Sequence, residues 1–142
     1  MSAATIASLV FFVFSLIAAA AVEFLMHAFA EEAGVNRWVF AMVPALLSML
    51  YALFVFQGGD RKIKRLGEAV SRGILVMLFN WISFAALTSW TWCQPKDFFG
   101  CLSKTMLVVG LIGGGPMLLV AIGAGVLTGV LIIRRPRPRI VE

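Results

Sequence analysis

The chain has 142 residues, of which 61% are hydrophobic and 13% charged, and it carries a formal net charge of +5. That length suits one domain, and that apolar content excludes an ordinary soluble one. The positive charges stand beside apolar runs, which points to lipid headgroups and away from nucleic acid as their partner.

Four apolar runs follow one another: Thr5–Ala30, Trp38–Phe56, Ile74–Trp92 and Thr105–Ile133. Each is long enough for a membrane helix, since a hydrocarbon core of roughly 30 Å takes about 20 residues. The expected fold is an all-α integral membrane protein, a single four-transmembrane-helix bundle over residues 1–142. Nine of the twelve basic residues fall after the second run (Arg61, Lys62, Lys64, Arg65, Arg72) or after the fourth (Arg134, Arg135, Arg137, Arg139). Arg37, Lys96 and Lys104 lie on the other side with Glu31, Glu32 and Asp97. By the positive-inside rule both termini are cytoplasmic, N-in/C-in, and the expected location is a bacterial inner membrane.

The first run has no basic residue ahead of it, unlike a signal peptide, and it continues past Ala18–Ala21, so an uncleaved helix is expected. Glu23 and His27 stand four residues apart and share a helical face near the outer boundary. As ionisable groups at membrane depth they form, with Asn80 of the third run, a candidate intramembrane polar site. The bland alternative pairs Glu23 with His27 or with headgroup water. His27 is the sole histidine, which leaves no histidine metal cluster. A short turn through Glu31, Glu32, Gly34 and Asn36 leads to Trp38, which with Trp90 and Trp92 makes an outer aromatic belt. Pro44 is expected to kink the second run.

Gly58–Gly73 is the one extended polar stretch. Asp60 is suited to cap a short amphipathic cytoplasmic helix between helices 2 and 3, with Ile63, Leu66 and Val70 on one face and basic residues flanking it. Such a helix would lie on the anionic inner leaflet, each basic residue contributing about 1 kcal/mol at best. A plain topogenic loop is the equal alternative. In the third run Asn80 is the only amide in a span interior, and a hydrogen bond between helices from such a residue contributes about 1 kcal/mol.

Cys93 and Cys101 bracket QPKDFFG on the side expected to be oxidising, and a disulfide is the natural reading. It would hold a rigid tip, Pro95–Gly100, in a loop over 93–104, presenting Phe98 and Phe99 to a partner or to the membrane surface. The fourth run carries seven of the thirteen glycines and Pro116. Gly110, Gly114, Ala121, Gly125 and Gly129 recur at four- and seven-residue steps and form a small-residue packing seam. Pro116 crowds the carbonyl of Ile112, so the helix is either kinked at 113–116 or broken there.

No nucleotide loop, nucleophile elbow, zinc-protease motif or catalytic carboxylate cluster is present, so no enzymatic activity, cofactor or metal is expected. The expected function is that of a small inner-membrane protein working through protein contacts. It would be an assembly or accessory subunit, or an immunity protein against a membrane-active toxin. Its partners would be another membrane or periplasmic protein, or a second copy of itself. The alternative starts from Glu23 in the first span and GAGVLTGVLII in the last, where the chain resembles the small multidrug resistance family. That resemblance implies a small proton-coupled transporter in which Glu23 exchanges protons for cationic substrates. The long basic loop over 58–73, the cysteine pair and the late position of Glu23 depart from that family.

Overall fold

The computed structural model describes residues 2–29, 37–57 and 63–134, without the side chains of 25–29, 37–40 and 92. All regular structure among the described residues is helical. It comprises α1 (Ala3–Phe29), α2 (Arg37–Val55), α3 (Leu66–Trp92), one 3₁₀ turn (Pro95–Asp97) and α4 (Phe98–Ile133). Three helical stretches, Ala3–Phe24, Leu66–Thr91 and Pro95–Ile133, are long and apolar enough to cross a membrane; α2 contributes a shorter apolar stretch, Ala41–Val55.

Each helix packs on two others: α1 on α2 and α4, and α3 on α2 and α4. The helix ends are ordered by contacts at one level. The Phe11 ring of α1 lies 5.8 Å from the Phe56 ring just after α2. A Cβ placed on Gly73 of α3 would come 3.2 Å from Phe11 and 3.4 Å from Gly125 of α4. The starts of α1 and α3 therefore share an end of the molecule with the finishes of α2 and α4. Alanines are buried on α1 (Ala3, Ala7) and α2 (Ala41, Ala45, Ala52), and such small residues let helices approach closely. The Ser48 hydroxyl donates to Ala45 O at 2.9 Å and to Phe11 O at 3.3 Å. Between α2 and α3, the Tyr51 and Ser83 hydroxyls are hydrogen-bonded and the Tyr51 ring lies 5.6 Å from that of Phe79.

Arg72 locks the end of α2. Its guanidinium donates to the Val55 carbonyl at 2.9 Å and lies 6.0 Å from the centroid of the Phe56 ring. A helix C-terminus carries unsatisfied carbonyls and partial negative charge, and a cation placed there relieves both.

The helices depart from the sequence expectation in three places. Leu66–Gly73 is not a separate amphipathic helix but the first two turns of α3, which continues unbroken to Trp92. Ile63, expected on that helix, is non-helical and buried. Glu68 fixes the start of α3, its Oε2 accepting the N–H of Lys64 at 2.7 Å and of Arg65 at 3.4 Å. Gly73 does not end the helix, because its missing side chain is what lets α4 approach. Asp60, Arg61 and Lys62 lie outside the described residues. Secondly, α4 begins at Phe98, so the expected loop over 93–104 is cut to a brief turn. Thirdly, α4 runs through Gly113–Pro116 without a break, so the broken-helix alternative does not hold. At 36 residues it is roughly 54 Å long, well beyond a hydrocarbon core.

Candidate functional site

The sulfurs of Cys93 and Cys101 are paired as a disulfide with the Cα atoms 6.0 Å apart. Cys93 follows the last residue of α3 and Cys101 sits in the first turn of α4, so the bond ties the two helices at their junction. Pro95 opens the 3₁₀ turn, where its fixed φ suits a first helical position. The Asp97 side chain folds over Gly100: a Cβ there would stand 2.5 Å from Asp97 Oδ1. The Asp97 side chain is exposed and can swing aside, so this approach favours glycine without requiring it.

An aromatic cluster crowns this junction. Phe98 packs edge-on against Trp90 at 6.2 Å and against Phe99 at 5.8 Å. Trp90 is 78% exposed and Phe99 83% exposed, while Phe98 is half-buried between them. Phe98 and Phe99 stand on the first turn of α4 and not on a loop tip. The Trp38 and Trp92 side chains, expected in the same belt, lie outside the described residues.

Small residues set the α3–α4 contact. A Cβ on Gly73 would meet Ala121 O at 2.5 Å, and one on Gly125 would meet Val70 Cα at 3.0 Å and Ala69 O at 3.2 Å. One on Gly129 would meet Ala69 Cβ at 2.8 Å, and one on Gly110 would touch the Trp81 ring at 3.4 Å. Gly114 differs, with nothing within 4 Å of its added Cβ. The tight seam therefore runs over Ala121, Gly125 and Gly129, with Gly110 a looser contact and Gly114 beside open space. Sequence reasoning missed the other half of it, Ala69 and Gly73. The signal was present as two small residues four apart, inside a stretch whose charges suggested a surface helix. It also missed Gly123, where a Cβ would stand 2.9 Å from the Phe14 ring of α1.

The candidate polar residues are not gathered into one constellation. Glu23 is half-buried on α1, and the His27 side chain lies outside the described residues. Asn80 is 1% exposed on α3, and neither its Nδ2 nor its Oδ1 has a hydrogen-bond partner among the described residues. Phe11 and Gly73 are level, and Glu23 lies twelve residues beyond the first while Asn80 lies seven beyond the second. The two therefore differ in depth by roughly 7.5 Å of helix. Ser15, Ser89 and Thr128 are buried with hydroxyls unpartnered among the described residues, as is the Trp81 indole nitrogen. No three His, Cys, Asp or Glu side chains come together among the described residues.

No protein-family model, no curated protein and no solved structure matches the chain.

Proposed function

We propose that the chain is a four-helix transmembrane bundle of a bacterial inner membrane, N-in/C-in, that acts without catalysis through protein contacts. The observation that carries this reading is the Trp90–Phe98–Phe99 cluster, two of whose rings are largely exposed where the Cys93–Cys101 bond joins the end of α3 to the start of α4. Rigid, exposed aromatic side chains bury a large area at little entropic cost when a partner covers them. A membrane setting is supported by the three long apolar stretches. The fourth helix, α2, spans 19 residues, roughly 28 Å, and is packed between α1 and α3. The grouping of nine of twelve basic residues after the second and fourth runs supports the orientation. An accessory subunit, or an immunity protein guarding the membrane against a pore-forming toxin, needs such a surface and no reactive group.

One observation favours a second reading. The buried Asn80 amide, unpartnered among the described residues, is a polar group inside a packed interior, as a small transporter with Glu23 as its proton-exchanging residue would use. Site-specific photo-crosslinking separates the two. With p-benzoylphenylalanine at position 99 in living cells, a discrete protein adduct is expected, and Trp90→Ala should weaken it. The same probe at Leu118, 58% exposed on the middle of α4, should give lipid adducts alone. No protein adduct at 99, together with loss of proton-driven efflux of a fluorescent cation on Glu23→Gln, would assign the chain to transport.

A further inference from the structure

One end of the molecule presents cations from two segments far apart in sequence. The start of α3 and the end of α4 are pressed together there, where a Cβ on Gly129 would stand 3.0 Å from Leu66 Cδ2. Lys64 and Arg65 immediately precede α3 and Arg134 immediately follows α4, and all three are exposed. Arg134 lies five residues beyond Gly129, roughly 7.5 Å of helix, so the three side chains share one rim.

Their side chains are not held in ion pairs among the described residues, although Arg65 lies close enough to Glu68 for the two charges to attract. Among the described residues the acid at this rim is Glu68, and its carboxylate is turned onto the backbone N–H groups of Lys64 and Arg65. Arg72 stands nearby but is engaged by the Val55 carbonyl and the Phe56 ring. Just inside the rim the helices turn apolar side chains outward: Leu66, Leu131 and Ile133 are each more than 40% exposed. A collar of exposed aliphatic groups topped by cations that make no ion pair among the described residues matches the order of a phospholipid, acyl chain and then phosphate.

We infer that this rim binds the phosphate groups of anionic phospholipids through Lys64, Arg65 and Arg134, with Arg72 excluded because it serves the fold. This rests on the membrane reading above. An acidic soluble partner would leave the apolar collar unexplained. Each basic residue near an anionic surface strengthens attraction about fivefold at best, so losing all three should weaken binding on the order of tenfold or more.

The test is native mass spectrometry of the full-length protein in a neutral detergent, titrated with phosphatidylglycerol and, separately, with phosphatidylcholine. The wild type should prefer phosphatidylglycerol, and rising salt should erode that preference. The triple variant Lys64→Gln, Arg65→Gln, Arg134→Gln should lose it. Arg72→Gln should melt at a lower temperature yet keep it, and Lys96→Gln with Lys104→Gln at the opposite end should keep it too. An undiminished preference in the triple variant overturns the inference, as does its equal loss in Arg72→Gln or an insensitivity of the wild type to salt. Binding of an acidic peptide at the same concentration, with no preference between the lipids, also overturns it. Extraction of the protein from membranes by alkaline carbonate would remove the membrane reading itself. Retention without a lipid preference would remove this inference alone.

Discussion

At the scale of single residues, the absence of a side chain matters as much as its presence. In lipid no hydrophobic effect drives helices together, so contact depends on how closely backbones approach. Gly73 is the extreme case, since its added Cβ would press on the Ala121 carbonyl oxygen at 2.5 Å, and a backbone atom cannot step aside as a flexible side chain can. Gly73→Ala is therefore expected to cost about 1–3 kcal/mol, the usual range for overpacking. Gly114→Ala, into open space, should be neutral or slightly stabilising. Thermal unfolding of both variants in detergent, followed by circular dichroism, checks the contrast; equal melting temperatures would sink it. Asn80 makes the opposite case. A buried amide with no partner among the described residues contributes desolvation cost and no hydrogen bond, so an apolar replacement of similar size should be nearly neutral or stabilising. Asn80→Leu is expected to melt no lower than the parent. A fall of more than about 1 kcal/mol would show that the amide is satisfied in the membrane and is part of a polar site.

At the scale of elements, the apolar runs made the helices legible in the sequence, and chain ends and charges obscured their limits. In the sequence the third run starts at Ile74, because Arg72, Glu68 and the lysines before it suggest a surface segment. In the structure those charges are accommodated on α3 itself, with Glu68 capping its start and Arg72 reaching across to Val55. Hydropathy alone reveals neither contact: the Glu68 cap is a local side-chain interaction, and the Arg72 contact depends on where α2 ends in space. The cysteine spacing was legible, and the helical start inside the closed loop was not. Periodicity is weak over Phe98–Lys104, and Gly100 there reads as a turn until Asp97 is seen folded over it. The disulfide closes a loop of so few residues that it should contribute roughly 2.5 kcal/mol in the chain-entropy model. Cys93→Ser with Cys101→Ser is expected to lower stability by about that amount while preserving helix content, because α4 is already formed at Phe98. Circular dichroism at low temperature and through a melt checks both halves. A large loss of helix in the double variant would show that the bond, not the chain, starts α4.

At the scale of the whole molecule, all the regular structure among the described residues is helical, the helices pack in neighbouring pairs, and one end gathers cations while the other carries an aromatic cluster beside the Cys93–Cys101 bond. The proposed function and the lipid-binding rim both depend on which end faces the cytoplasm. Reporter fusions after Glu142 measure that directly. A fluorescent protein, which matures only in the cytoplasm, should glow there, and alkaline phosphatase, which needs an oxidising compartment, should stay silent. The inverse result, active phosphatase and a dark fluorescent protein, would place the basic end outside and contradict the account.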